Sequence, residues 1–249
     1  MAERSPGHTS AAASRWPWQW QWLCGLGVVG FFYWSLVSAS AASAHNQFER
    51  EVESLETAVS ISAVAAAHPV APSPLASAML AAAPAQLTAA ALELRARFAL
   101  LQSRHSADDR QYRLWLRRAR DDLRVATARR PQWPYAWSAL AEVKATQASF
   151  DAEFALAFAH AMQTGPHEAR SSRRLLGIVL SHSARMRPAD WRAAEVLARR
   201  LARGQPALLI ERVERDQQMD WLCGIADLPV TVQNACARHR ASFPPQETL

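Results

Sequence analysis

The hydrophobic pattern divides this chain of 249 residues into two parts. Between Trp22 and Ala44 no side chain is charged at neutral pH. From Thr88 onward, apolar and charged residues follow the spacing of one helix after another, with short breaks between them. The pattern therefore predicts an apolar N-terminal segment followed by an all-α domain.

The apolar segment is long enough to cross a membrane. Its 23 residues would span roughly 30 Å of hydrocarbon as a helix. Four tryptophans at positions 16–22 lie at its start and suit the headgroup region of a bilayer. An Ala-Ser-Ala sequence at 42–44 leaves a cleaved signal peptide, with 23–37 as its apolar run, as the alternative. We favour an uncleaved signal anchor at 22–44, because apolar or small residues continue beyond position 37.

The charges around this segment indicate its orientation. Arg4 and Arg15 precede it, whereas acidic residues dominate the stretch just after it. We therefore expect a short cytoplasmic tail at 1–21 and a single pass through a bacterial inner membrane. The C-terminal domain then lies in the periplasm, and a cleaved signal peptide would send it there too.

Proline and glycine positions predict the boundaries of the helices. Three prolines within 68–74 interrupt a helical, Ala/Pro-rich linker over 45–87. Gly165-Pro166 is a clear stop signal between two later helices. The main domain, 88–249, is predicted to form helices over 88–102, 107–130, 134–146, 151–163, 168–186, 189–203, 205–224 and 229–242. Connections of two to five residues are typical of antiparallel helical hairpins.

A repeat is legible over residues 107–166. Ala119 to Pro131 reads A-x3-L-x2-A-x4-P, and Trp137, Leu140 and Ala141 then give W-x2-L-A. This order resembles the end of one tetratricopeptide repeat and the start of the next. Lys144 stands where the repeat has tyrosine. The spacing predicts a tetratricopeptide-like stack of hairpins, and an ordinary helical bundle is the alternative.

The same region resembles the bacterial exopolysaccharide-biosynthesis proteins labelled VpsP. The resemblance rests on the W-x2-L-A helix at Trp137 and on Gly165-Pro166-His167-Glu168, where the family has a GPWE-like turn. It covers roughly residues 110–240, and His167 departs from the family's tryptophan. It implies one N-terminal membrane helix, a small periplasmic helical domain and a role beside polysaccharide polymerisation and export proteins. It implies no catalytic residues.

Composition and motifs indicate which partners and which kinds of site this sequence can have. The formal net charge is +6 and Lys144 is the only lysine. The arginines are spread along the helices without a dense basic tract, which argues against nucleic acid and leaves acidic polysaccharide or anionic lipid as acidic partners. Cys223 and Cys236 are predicted to form a disulfide, with two buried thiols as the alternative. No spacing typical of a metal site, a nucleophile elbow or a phosphate loop is present, so we expect a protein that is not an enzyme and needs no cofactor.

These observations together predict a scaffold or accessory protein of exopolysaccharide biosynthesis, polymerisation or export. The alternatives are a tetratricopeptide-like adaptor of a pilus or secretion machine and a protein that binds acidic polysaccharide directly. A helical-repeat face is a common binding surface for protein partners. The residues assigned to it are Trp133, Tyr135, Trp137, Phe154, Arg173 and Arg174. Core packing of the aromatic residues and a solvated face for the arginines are the alternative roles.

Overall fold

The computed structural model describes residues 45–54, 73–106 and 108–242, together with positions 35, 39, 42 and 43. These residues are helical or connect helices, and no strand occurs among them. The chain divides into two units, Met1–Gln47 and Phe48–Leu249. The predicted anchor at 22–44 lies almost wholly outside the described residues. Within the described ranges, no helix has the length and apolarity that crossing a membrane requires.

Ten helices of the second unit have defined bounds in the described ranges. They are α1 (Pro74–Ala81), α2 (Ala89–Arg104), α3 (Asp109–Arg129), α4 (Pro134–Thr146), α5 (Ala152–Thr164), α6 (Ala169–Ser181), α7 (Pro188–Gly204), α8 (Pro206–Arg215), α9 (Met219–Cys223) and α10 (Val230–Ser242). Single 3-10 turns lie at Pro84–Gln86 and Ser183–Arg185. The all-α fold class is confirmed.

Consecutive helices pair, and the pairs stack. The closest partners are α2 with α3, α4 with α5, and α6 with α7. The first helices of the pairs also touch, since α4 contacts both α2 and α6. The architecture is therefore helical and repeat-like, with α2, α4 and α6 forming one row.

Local sequence explains where these helices begin. Thr88 and Asp151 accept hydrogen bonds from the backbone N–H groups of Ala91 and Phe154, at 3.1 and 3.0 Å. Asp108 does the same for the first turn of α3. These side chains satisfy N–H groups that have no partner inside the helix. Helices α4, α7 and α8 begin with proline, whose fixed φ suits a first turn.

The alanines and leucines of the repeat signature lie in the core. Ala119, Leu123 and Ala126 on α3 are buried, as are Leu140 and Ala141 on α4. The alanines let the two helices approach closely, while the leucines fill the space between them. The pattern in the sequence therefore reports a real helix–helix contact.

Parts of the region 48–87 pack on α2. Phe48 and Val52 join Leu94, Phe98 and Leu101 in a second apolar cluster, against which Met79 and Leu80 also pack. The side chain of Glu51 accepts hydrogen bonds from the N–H and hydroxyl of Ser73, at 3.2 and 2.6 Å. These contacts hold both flanks of the proline-rich stretch against the helical domain.

A buried arginine fixes α1 to the domain. Arg95 makes a two-pronged salt bridge with Asp122, with N–O distances of 2.7 and 2.6 Å. Its third nitrogen, Nη1, donates to the carbonyl oxygens of Met79 and Ala82 at 3.1 and 2.6 Å. One side chain thus joins α2, α3 and the end of α1.

Two predicted helix ends are wrong. The single helix predicted over 205–224 is two helices, because the chain turns at Gln217, whose φ is 55°. The Gln218 N–H then donates to the Val213 carbonyl at 2.9 Å, closing the end of α8. The helix predicted to reach Met186 ends at Ser181 and is followed by a 3-10 turn.

Candidate functional site

The first helices of the pairs line a cleft with a volume of about 490 Å³. Helices α2, α4 and α6 form one side of it, and α7 and α8 complete the lining. Seven arginines, six leucines and two glutamates line it: Arg97, Arg104, Arg170, Arg173, Arg174, Arg212, Arg215, Leu100, Leu101, Leu176, Leu201, Leu208, Leu209, Glu142 and Glu211. It is thus a cleft with cationic walls and an apolar floor.

Helical spacing brings these arginines together. Arg97 and Arg104 are seven residues apart on α2, which is close to two full turns. Arg170, Arg173 and Arg174 occupy one face of α6 because they are three and four residues apart. This spacing can be recognised in the sequence and predicts the arginine-bearing face of each helix. It does not predict that the two faces lie next to each other.

Glu142 occupies the middle of the cationic wall. Its two carboxylate oxygens lie 2.9 Å from Arg104 and 2.8 Å from Arg174. The cleft therefore already holds one carboxylate between two guanidinium groups. A planar guanidinium is well suited to such contacts because its N–H groups form a rigid fork.

Arg174 is fixed in place by several groups. Besides Glu142, it lies 3.7 Å from a carboxylate oxygen of Glu93. Its Nη1 also donates to the carbonyl of Tyr135 and to the hydroxyl of Ser138, both at 3.3 Å. Arg174 is therefore a rigid part of the cleft wall, which ties α6 to α2 and α4.

Arg212 holds α8 against α6 and depends on a glycine to do so. Its Nη2 donates to the Gly177 carbonyl at 3.2 Å and to the Ser181 hydroxyl at 2.8 Å. Its Nε donates to Asp216 at 2.6 Å. A Cβ atom at Gly177 would lie 2.8 Å from the Arg212 guanidinium carbon, a distance that forces the side chain to move. Gly177 therefore sets the position of this part of the wall.

Arg173 differs from its neighbours on the wall. It is exposed, and it makes no hydrogen bond or ion pair with any residue of the described ranges. Arg215, by contrast, pairs with Glu211 at 2.5 Å. The guanidinium of Arg173 can therefore meet a ligand without first giving up a partner.

The aromatic residues assigned to the binding face lie elsewhere. Phe154 is 2 % exposed and belongs to the core. Trp137 stacks on His160 with ring centroids 4.7 Å apart, and its Nε1 donates to the Pro131 carbonyl at 2.7 Å. Trp133 packs edge-on against Tyr135 at 5.9 Å. None of these four aromatic residues lines the cleft.

Tyr135 nevertheless supports the cleft wall from behind. Its hydroxyl donates to Glu168, and this hydrogen bond raises the pKa of Tyr135. The guanidinium carbon of Arg170 lies 5.9 Å from the centre of its ring. Among the six residues assigned from the sequence, only Arg173 and Arg174 line the cleft.

The two cysteines of the domain are joined in the structure. The sulfur atoms of Cys223 and Cys236 are 2.10 Å apart, and their Cα atoms are separated by 5.5 Å. The bond links the end of α9 to the middle of α10. It lies outside the lining of the cleft.

Neither a metal site nor a relative accounts for the cleft. In the described ranges, no group of three or more His, Cys, Asp or Glu side chains could hold a metal ion. Comparison of the chain with protein families, with curated proteins and with solved structures found no match. Any functional argument therefore rests on the residues of the cleft and on the sequence.

Proposed function

We propose that this protein is a non-enzymatic accessory protein that binds an acidic ligand in the arginine-lined cleft. The observation that carries the proposal is the excess of cations there. Seven arginines line the cleft, against two glutamates, Glu142 and Glu211. A cleft lined mainly by charges of one sign attracts ligands of the opposite sign.

The proposed setting comes from the sequence. The resemblance to exopolysaccharide-biosynthesis proteins and the expected membrane anchor favour a periplasmic role in polymerisation or export. A disulfide between Cys223 and Cys236 would suit that oxidising compartment. Acidic polysaccharide is accordingly the first ligand to test.

The test is a binding measurement with the full chain in phosphatidylcholine nanodiscs. Galacturonic acid oligomers supply regularly spaced carboxylates, and neutral maltose oligomers of equal length are the control ligand. We expect the acidic oligomers to bind and the neutral ones not to. Their affinity should fall steeply between 50 and 300 mM salt, because exposed charges are screened.

A pair of matched variants locates the binding. Arg173→Gln removes an exposed cation of the cleft wall, whereas Arg117→Gln removes an exposed arginine on α3, outside the cleft. We expect about a fivefold loss of affinity for the first, equivalent to about 1 kcal/mol, and no change for the second. Equal losses in both variants would show that the net charge of the chain, and not the cleft, binds the oligomer.

A protein partner is the second candidate, because α2, α4 and α6 form the row of first helices that helical-repeat proteins use for binding. Isolation of the full chain from its native host, with mass spectrometry of what accompanies it, tests this candidate. Polysaccharide polymerisation or export proteins would support the proposed setting. Pilus or secretion components would instead favour an adaptor of another envelope machine.

A further inference from the structure

We infer that the ligand of the cleft is an amphiphilic anion, with its acidic group on the arginines and a short hydrocarbon group on Leu208. The inference rests on the proposed function, since it describes the ligand of the same cleft. It is carried by the placement of leucines beside the cations.

Leu208 shares one face of α8 with two arginines of the cleft. Arg212 and Arg215 follow it by four and seven residues, so all three lie along one side of the helix. Leu208 is 39 % exposed, whereas its neighbour Leu209 is buried in the core. The apolar surface of Leu208 therefore lies open beside two guanidinium groups.

The floor of the cleft extends this apolar surface inward. Its leucines, Leu100, Leu101, Leu176, Leu201 and Leu209, are buried. A polar ligand group pushed towards this floor would find no hydrogen-bonding partner on the leucine side chains and would lose its contact with water. A hydrocarbon group gains free energy in the same place, because it removes apolar surface from water.

Glu142 and Arg174, deeper in the wall, are already paired with each other. Glu142 bridges Arg104 and Arg174, and Arg174 has further partners on α2 and α4. Among the described residues of the cleft, the charge of Arg173 and the open surface of Leu208 are therefore accessible to a ligand. One is cationic and the other is apolar, so a ligand that uses both must be an anion with a hydrocarbon part.

The volume of the cleft sets the scale of this ligand. About 490 Å³ lies within the range of small-molecule sites, roughly 300–1,000 Å³. Helix-on-helix docking of a protein partner needs a far larger surface, on the order of 800 Å² from each partner. The cleft therefore suits the acidic end of a small amphiphile better than a protein surface.

A series of phosphate monoesters tests the inference. Inorganic phosphate, ethyl phosphate and butyl phosphate carry the same acidic group with zero, two and four carbons. Their dissociation constants are measured by calorimetry against the full chain in phosphatidylcholine nanodiscs, with empty nanodiscs as the blank. We expect affinity to rise by up to about fourfold for each methylene that reaches the leucines. Butyl phosphate should then bind at least tenfold more tightly than phosphate.

Three variants test where the hydrocarbon group and the acidic group of the ligand bind. Leu208→Ala should reduce the tenfold preference for butyl phosphate to less than threefold without changing the affinity for phosphate. Leu156→Ala, at a leucine of α5 that is 52 % exposed and lies outside the cleft, should leave the preference intact. Arg173→Gln should weaken both ligands by the same factor. Both leucines are exposed, so neither substitution should impair folding.

The outcomes separate this inference from the proposed function. Equal binding of phosphate and butyl phosphate would overturn the inference and leave an anion-binding cleft. A preference that survives Leu208→Ala would also overturn it, because the hydrocarbon would then bind elsewhere. Failure of phosphate, butyl phosphate and the galacturonic acid oligomers alike would refute the proposed function itself.

Discussion

Replacing Asp122 by asparagine is expected to destabilise the helical domain far more than the same change at its neighbour Asp121. Both residues lie on α3, and both accept hydrogen bonds from arginine. Asp122 is 3 % exposed and pairs with Arg95, which is 1 % exposed. Asp121 is exposed and pairs with Arg120 and Arg124 at 2.9 and 3.6 Å. The comparison therefore varies burial while keeping the residue type and the helix.

The magnitude follows from the charge that the substitution leaves behind. Removing one partner of a buried ion pair costs about 3–5 kcal/mol, because the other charge stays out of water. Asparagine keeps one acceptor oxygen, so the lower end of this range applies to Asp122→Asn. Arg118 adds to the cost, since burial and the nearby Arg95 already lower the pKa of Arg118. For Asp121→Asn the expected cost is below about 0.5 kcal/mol.

Urea unfolding of the solubilised full-length chain, followed by circular dichroism, measures both values. A loss of less than 1 kcal/mol for Asp122→Asn would refute the reasoning, because the pair would then be no more important than a surface pair. The double variant Arg95→Met, Asp122→Leu provides a further check. It should recover part of the loss, although the carbonyl oxygens of Met79 and Ala82 lose their donor.

Three further expectations concern α4 to α10. Lys144 pairs with Asp151 and Glu153 at 2.6 and 3.1 Å, and hydrogen bonds, chiefly from Lys144 to Asp151 and from an arginine to Glu153, lower the pKa of each acid to about 2. The stability that these ion pairs contribute is present above about pH 4.5 and is lost as pH falls towards 2. The urea midpoint of unfolding should therefore decrease between about pH 4.5 and 2, and Glu153→Gln should make this decrease smaller. Gln217→Gly should stabilise by about 0.5–1 kcal/mol, because it relieves a left-handed backbone; an unchanged or lower urea midpoint would contradict this. Reductant should lower the free energy of unfolding by about 3 kcal/mol and leave a Cys236→Ser variant unaffected, whereas equal responses would show that the disulfide is not the cause.

Much of the fold could be predicted from the sequence because its signals are local. Proline at a first turn, capping side chains and Gly165-Pro166 each act within a few residues of a helix end. The turn at Gln217 was missed because glutamine is not a residue that usually adopts a left-handed conformation. At this turn, the hydrogen bond that closes the end of α8 outweighs the conformational preference of the glutamine.

The candidate site was only partly predictable because it depends on contacts between distant helices. The sequence singled out Arg173 and Arg174 as neighbours on one helix. Arg97 lies 76 residues before Arg173, and Arg212 lies 38 residues after Arg174, each on another helix. Phe154 and Trp137 were attractive candidates because large aromatic residues often form binding surfaces. In this domain they fill space between helices instead.

Proteolytic cleavage after Lys144 can be used to measure local unfolding of the chain. It is the only lysine, it is 5 % exposed, and it lies in the last turn of α4. A protease specific for lysine consequently has one place to cut, between residues 144 and 145. Because a protease needs an extended, accessible backbone, each cut records one opening of the α4–α5 hairpin. When cutting is slower than closing, the rate at which a single band becomes two thus measures the population of the open form in the unmodified protein.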